Sequence, residues 1–120
     1  MIGASDLQSA AEEVIQILLV GVGDEQYGVD ATQVLRIDRA EAGAFAHPAL
    51  GTLREGKRSL VFQTDNGEAQ LKVDAIIGVD AVPISRLRRM PPAATRSPLA
   101  VGLYLSDARP IVLIDLPLTL

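Results

Sequence analysis

The sequence predicts an all-β protein, built as a sandwich or a small barrel. Short apolar runs of strand length alternate with turn residues along most of the chain, which is the pattern of all-β domains. The hydrophobic fraction is 48%, aromatic residues make up only 3%, and Trp is absent. The core is therefore expected to consist of branched aliphatic side chains, which fit pleated strands. At 120 residues the chain has the size of one domain.

The first half of the chain is predicted to hold two strands and a connection. Residues 14–22, VIQILLVGV, form a continuous apolar run that suggests a strand buried on both faces. After the turn residues GDEQ, the segment YGVDATQVLRI suggests a second strand with an irregular turn near Ala31. Residues 39–56 lose periodicity, so they are predicted to be a connection with one helical turn.

Two hairpins are predicted in the second half. The segments KRSLVFQT and EAQLKVDAIIGV flank DNG, and Asn66-Gly67 is expected to supply the positive φ angles of a type I′ turn. The segment LAVGLYLSDARPIVLIDL suggests a second hairpin that turns at residues 106–109. Residues 83–98 hold four of the seven prolines and four arginines, so an exposed loop is predicted there.

The sequence offers no group of residues for catalysis. There is no Cys, which excludes disulfides, thiolate chemistry and a Cys-based zinc site. His47 is the only histidine, is expected at the surface, and has no Ser/Asp arrangement beside it. The segment GVGDEQYG lacks the following helix that a dinucleotide site needs. We expect no enzyme activity, no cofactor and no metal. Aspartates that follow apolar runs are expected to accept hydrogen bonds from turn amides: Asp30, Asp38, Asp74, Asp80 and Asp115.

The net charge and the hydropathy of the chain limit the kinds of partner that it is expected to bind. The net charge of −4 argues against direct nucleic-acid binding. No apolar run reaches the roughly 18 residues of a membrane span, so no membrane insertion is expected. Residues 1–13, predicted to be an N-terminal extension or a short helix, lack the basic start of a secretory signal, which favours a cytoplasmic protein. Arg86, Arg88 and Arg89 belong to the densest positive patch, either a solvated loop or a contact for an acidic partner.

Three stretches together resemble the CheW family, the adaptors that join chemoreceptors to the histidine kinase CheA. They are ILLVGVGDEQYGVDATQVLRI, which ends on Val34 and Ile37; LKVDAIIGVDAVPIS; and LAVGLYLSDARPIVLIDLPLTL, in which Gly102 opens a strand. Their order and spacing agree with the family over most of the chain. The resemblance implies a CheW-like domain over residues 14–120, made of two small packed β-barrels.

The chain departs from the family's pattern in two places. Arg36 stands where the family usually has an acidic residue. The connection over residues 45–57 leads almost directly to SLVFQT, so one or two strands of the second barrel are expected to be missing, while the first barrel, residues 14–38 and 98–118, is expected to be intact. In this shortening the chain resembles a short CheW-like protein of the Frizzy pathway, which controls reversals in gliding bacteria.

The resemblance implies an adaptor for chemosensory signal transduction, acting in a two-component system. The cytoplasmic hairpin of a methyl-accepting receptor is expected to bind an apolar groove between the barrels. Docking of the CheA-type kinase is expected to be weak or lost, because the second barrel is shortened; other CheW-like proteins are further candidate partners. The candidate receptor-binding residues are Val34, Ile37, Ile76, Ile77, Val79 and Gly102. Each of the aliphatics fits ordinary core packing as well, so Val34→Glu is expected to separate the two roles.

Three alternatives stay open. The chain is a full coupling protein if its kinase-binding face has been rebuilt from TLREGKRS. It is a small-ligand binder if the barrel holds a molecule in an apolar interior. It is a structural subunit if it oligomerises through an unpaired strand edge.

Overall fold

The computed structural model describes residues 13–89 and 99–119, and the regular structure there consists of β-strands and short 3-10 turns. The strands are β1 (Val14–Val22), β2 (Glu25–Asp30), β3 (Arg36–Arg39), β4 (Arg58–Thr64), β5 (Gly67–Val73), β6 (Ala75–Pro83), β7 (Leu87–Arg89), β8 (Ala100–Leu105) and β9 (Pro110–Ile114). The all-β prediction is confirmed. The N-terminal extension predicted over residues 1–13 lies outside the described residues except for Glu13.

The described strands form two sheets. The first has six strands in the order β6-β1-β2-β9-β8-β7, and the second has three in the order β3-β4-β5. Neighbouring strands are antiparallel except for β2 and β9. The two packed units of the predicted fold are present, as sheets rather than as barrels closed by hydrogen bonds. The second unit is shortened as predicted: its three strands are extended only by an isolated bridge between Phe45 and Leu71.

The six-stranded sheet curls on itself. Its two end strands, β6 and β7, are joined by the 3-10 turn Ile84–Arg86. An extended chain spans about 3.5 Å per residue, so this link keeps the two sheet edges within about 14 Å of each other. Side chains inside the curl form an intra-sheet cluster with buried members Ile17, Leu19, Val82, Tyr104 and Ile111.

The prediction of an exposed loop over residues 83–98 is confirmed for the exposed 3-10 turn Ile84–Arg86, but it is wrong for Pro83, which ends β6, and for residues 87–89, which form β7. Leu87 packs against the intra-sheet cluster, and β7 pairs with β8 from Leu87 opposite Tyr104 to Arg89 opposite Gly102. One apolar side chain in an Arg- and Pro-rich stretch is enough to dock it as an edge strand. Residues 90–98, with Arg96, lie outside the described residues.

The second predicted strand divides between the two sheets. The irregular turn is confirmed as a 3-10 turn, Ala31–Gln33, and the Asp30 carboxylate accepts a hydrogen bond from the Thr32 N–H at 2.9 Å. After this turn the chain leaves the first sheet, and β3 pairs with β4. The assignment of residues 14–38 to one barrel is therefore wrong at its end, because the pairing partner of β3 lies in the second sheet.

An inter-sheet core joins the two sheets. Leu18 and Val20 of β1 contribute to it from the first sheet, and Leu60, Phe62 and Leu71 from the second. All five are at most 3% exposed. The predicted aliphatic core is confirmed. Among the described residues Phe62 is its one buried aromatic member, while Tyr27 and Phe45 pack against it and are partly buried.

The two hairpins are confirmed, but the turn type of the first is not. Thr64 pairs with Gly67 across a two-residue loop. Only Gly67 takes a positive φ there, 108°, so the loop is not a type I′ turn, which needs positive φ at both central residues. The Thr64 hydroxyl stabilises the observed loop instead. It accepts a hydrogen bond from the Asn66 N–H at 3.1 Å and donates one to the Gly67 carbonyl at 2.6 Å. The second hairpin turns between Leu105 and Pro110, as predicted.

Asp74 connects the two sheets at the point where β5 becomes β6. Its carboxylate accepts hydrogen bonds from the backbone N–H groups of Gly23 (2.6 Å), Arg54 (2.9 Å), Glu55 (2.8 Å) and Gly56 (2.8 Å). Its own N–H donates to the Gly21 carbonyl at 2.8 Å. Burial raises the pKa of the Asp74 carboxyl, but the four N–H donors outweigh burial and hold that pKa below its usual 3.8. The strand-end aspartate thus fixes the β1–β2 turn and residues 54–56 together.

We expect Asp74→Asn to lower the free energy of unfolding by about 2 kcal/mol at pH 7, because an amide replaces a carboxylate that accepts four N–H bonds. The pKa is depressed in the folded state, so the stabilisation is present above the usual pKa and is lost as the pH falls below about 4. Urea unfolding of both proteins at pH 7 and pH 3 measures this difference.

The matched control is Asp65→Asn, which removes the same charge from an exposed turn residue. It should change stability little at either pH. An Asp74→Asn deficit that is equally large at pH 3 would contradict the assigned role of the carboxylate charge.

Candidate functional site

Two of the predicted receptor-binding residues belong to the packing between the sheets. Val34 and Ile76 are half-buried, and both pack against the inter-sheet core. A carboxylate introduced at Val34 would therefore be placed partly inside that core, where an unpaired charge is costly. Contrary to expectation, Val34→Glu is therefore a poor test, because it would disturb folding as well as any receptor binding.

Three other predicted positions are open to solvent. Ile37 is 40% exposed, Ile77 48% and Val79 55%. Residues paired across a ladder share a face, so Ile37, opposite Leu60, and Val79, opposite Leu18, lie on the inter-sheet faces of their strands. Both are on end strands of their sheets, β3 and β6, where the inter-sheet core gives way to solvent.

Gly102 is buried and has a structural reason to be glycine. A Cβ at this position would lie 2.7 Å from the Arg88 carbonyl oxygen, closer than real Cβ contacts. The missing side chain lets β7 approach β8, so this residue shapes the sheet rather than presenting a side chain to a partner.

Exposed aliphatics that the sequence did not reveal belong to segments that meet at the C-terminal turn. The Gln33 side chain donates to the Asp115 carboxylate at 2.9 Å and accepts from the Leu116 N–H at 3.4 Å. This link sets residues 33–35 beside the 3-10 turn Leu116–Thr119. We call the exposed aliphatics around it the junction surface: Leu35 (50% exposed), Val101 (46%) and Leu118 (48%).

A cavity opens next to the junction surface. It has a volume of about 300 Å³ and is lined by apolar side chains of the six-stranded sheet, with polar groups at Asp30, Gln33 and Asp115. Val101 belongs both to this lining and to the junction surface. The sequence signal for these positions is weak, since each is a single aliphatic residue beside a turn.

The arginines predicted to contact an acidic partner are partly engaged within the chain. Arg86 donates to the Asp107 carboxylate at 2.8 Å and to the Leu105 carbonyl at 3.1 Å, and the Asp107 hydrogen bond raises the pKa of its guanidinium. Arg88 donates to the carbonyls of Ser85 (2.6 Å) and Leu87 (2.8 Å). Arg89 is exposed on β7.

Arg36, which stands where an acidic residue was expected, has acidic partners of its own. Its guanidinium lies 2.8 Å from the Glu68 carboxylate and 2.8 Å from the Asp38 carboxylate. The hydrogen bonds to Glu68 and then to Asp38 raise the pKa of the Arg36 guanidinium. The reversed sign at position 36 is thus balanced locally on β3 and β5.

The remaining strand-end aspartates and His47 have structural partners. The Tyr104 hydroxyl donates to Asp80 at 3.1 Å, and burial first, then this hydrogen bond, raise the pKa of Tyr104. His47 is half-buried rather than fully exposed, and its Nδ1 accepts from the Ala49 N–H at 3.1 Å at the start of the 3-10 turn Pro48–Leu50. The prediction of turn-amide acceptors is confirmed for Asp30 and Asp74, whereas Asp38, Asp80 and Asp115 accept from side chains.

Among the described residues, no helix has the length and apolarity to cross a membrane.

Comparison with known proteins shows likeness to a curated sequence and to solved structures. The chain is 48% identical over 102 residues to the Frizzy aggregation protein FrzB of Myxococcus xanthus, which covers 85% of this chain and 91% of that protein. The crystal structure of the scaffolding protein TtCheW from Thermoanaerobacter tengcongensis superposes with a TM-score of 0.74 over 88% of this chain and 87% of that one. Its sequence identity is 16%, so this likeness concerns the fold. No family model matches the chain.

We expect Gln33→Glu to destabilise the protein by about 2 kcal/mol, because it sets a second carboxylate against Asp115 and loses an N–H donor. Thermal unfolding at pH 7 measures the effect. Gln16→Glu is the matched control: Gln16 is exposed on β1 and lies opposite Ala81, so little change is expected. Equal effects of the two substitutions would remove Gln33 as the link at the junction surface.

Proposed function

This chain belongs to the CheW-like family, beside its short member FrzB, and from that premise we propose that it is a non-enzymatic adaptor in chemotaxis-type signal transduction. The observation that carries the proposal is the 48% identity to FrzB over 91% of that protein. The two-sheet fold shared with a CheW scaffolding protein supports it. Such an adaptor acts through surfaces, and the cytoplasm, where receptor signalling domains are accessible, is its proposed location.

The first partner we propose is the cytoplasmic helical hairpin of a methyl-accepting receptor. An amphipathic helix binds a groove through apolar anchors that repeat along one of its faces. The junction surface offers three exposed aliphatics beside an apolar cavity. Ile37, in strand β3 directly after Leu35, adds a fourth exposed aliphatic. We propose that these side chains act together, because grouped exposed aliphatics are typical of a protein-binding surface.

The second part of the proposal concerns the kinase. Docking of a CheA-type kinase is expected to be weak or absent, since the second sheet has three strands in the described residues and a smaller outer face than a closed barrel would have. The chain would then occupy receptors, or pair with other CheW-like proteins, without recruiting the kinase.

A second candidate function is small-ligand binding in the six-stranded sheet. It is favoured by the cavity of about 300 Å³, whose apolar lining carries the polar groups of Asp30, Gln33 and Asp115. Apolar pockets with a few converging polar groups are the usual form of small-molecule sites. Mass spectrometry of the purified protein under native conditions tests this alternative by detecting a bound molecule.

We expect calorimetric titration to show binding of the receptor's cytoplasmic hairpin and no measurable binding of the kinase's regulatory domain. Binding to both would mean that the missing strands do not matter for the kinase. Binding to neither would overturn the adaptor proposal.

We expect Leu35→Glu and Leu118→Glu each to weaken receptor binding by about tenfold or more, because each places a charge in an apolar contact that must lose water. Both side chains are about half exposed, so the fold should survive. Calorimetry with the receptor hairpin measures binding, and circular dichroism checks folding.

The matched control is Ile84→Glu, which changes a similarly exposed aliphatic in the turn between β6 and β7. Val79→Glu tests the other candidate face, on β6. If Val79→Glu weakens binding while the junction variants do not, the receptor binds the β6 face and the junction surface is the wrong choice.

A further inference from the structure

Two arginines lie opposite each other at one end of the β3–β4 ladder in the second sheet. Arg39, the last residue of β3, is paired in register with Arg58, the first residue of β4. Both are exposed. Like charges directly opposite each other in an antiparallel pair repel and destabilise the sheet.

The described residues do not neutralise this pair. Four other cations have carboxylate partners: Arg36 with Asp38 and Glu68, Arg54 with Asp24, Arg86 with Asp107, and Lys57 with Glu55 at 3.4 Å. Among the described residues Lys72, Arg88, Arg89 and Arg109 have no ion pair either, but none of them lies directly opposite a second cation in a ladder. In the described part of the chain, the side chains of Arg39 and Arg58 have neither an ion pair nor a hydrogen bond. An acidic protein thus leaves two adjacent guanidinium groups unpaired at one sheet edge.

These two cations line a concave space. The cavity there has a volume of about 590 Å³ and is lined by Arg39, Ala40, Gly56, Lys57 and Arg58. Two of the lining residues are joined by a backbone hydrogen bond, because the Ala40 N–H donates to the Lys57 carbonyl at 2.8 Å. This bond continues the β3–β4 ladder. The Gly56 N–H is already bound to Asp74, which fixes the other wall.

We propose that Arg39 and Arg58 form a carboxylate clamp that docks an acidic segment of a partner protein. A guanidinium presents a planar fork of N–H donors that matches a carboxylate, and two forks on opposing strands can hold neighbouring carboxylates. The repulsion between the two arginines is relieved when an anion lies between them. Nucleic acid is a poorer match, because the chain carries a net charge of −4 and the cavity offers three cations.

The clamp is separate from the junction surface. Leu35 precedes β3 and Arg39 ends it, and four residues of extended strand span about 13 Å. The clamp can therefore be tested apart from the junction surface. The inference does not rest on receptor binding, and its test contains no receptor.

The probe is a fluorescein-labelled hexaglutamate peptide, titrated with the full chain and followed by fluorescence anisotropy at low salt. We expect saturable binding that weakens about fivefold in Arg39→Gln or Arg58→Gln and more than tenfold in the double variant. The slope of affinity against salt should fall in the double variant, since fewer charges are neutralised.

Arg109→Gln is the matched control, because it removes the same charge from an exposed arginine in the β8–β9 turn. Hexaglutamine is the control peptide, and inorganic phosphate is the competitor. An equal loss in Arg109→Gln would overturn the clamp in favour of general electrostatic attraction. Absence of hexaglutamate binding would overturn it too, as would displacement of the peptide by phosphate at concentrations below those of the peptide itself, which would assign the clamp to a small oxyanion.

A stability measurement separates a docking role from a structural one. Since the two arginines repel, each single variant should melt about 2 °C higher than the parent while binding the peptide less well. Hexaglutamate should raise the melting temperature of the parent but not of the double variant. A lower melting temperature in both single variants would show that the arginines stabilise the sheet, and the clamp would be overturned.

Discussion

The carboxylate of Asp74 accepts backbone N–H groups from two separate turns, and the relation between the sheets depends on it. One donor, Gly23, belongs to the β1–β2 turn of the first sheet, and the others belong to residues 54–56, which lead into β4 of the second. Gly56 is buried, and without this partner its amide would be left unpaired at a high cost. One side chain thus fixes where the connection enters the second sheet.

That constraint reaches both proposed binding surfaces. Residues 54–56 are followed at once by Lys57 and Arg58, so the same hydrogen bonds set the position of the clamp formed by Arg39 and Arg58, which we also call the basic edge. At the opposite end, Gln33 performs a similar task, because it joins the turn that leaves the first sheet to the C-terminal turn. Asp74 and Gln33 each form hydrogen bonds to other segments of the chain. These directional bonds fix the positions of the two surfaces, which the aliphatic core alone would not fix.

The chemistry of the two surfaces differs, as an adaptor's would. The junction surface is apolar and lies beside a cavity, which suits a helix with apolar anchors. The basic edge is polar and repulsive in isolation, which suits an acidic segment. The two proposed partners differ in chemistry and would not compete for one site, which is compatible with the proposed adaptor role. The shortened second sheet leaves its outer end available for such a contact.

The sequence by itself determined the strands and the family. Apolar runs bounded by turn residues predict β1 and both hairpins because alternation and turn chemistry are local properties. The sheet that each strand joins, the docking of β7 through Leu87 and the exposure of Leu35 were decided by tertiary structure alone. The reason is physical: pairing partners and burial depend on contacts between residues far apart in the chain, and no local pattern records them.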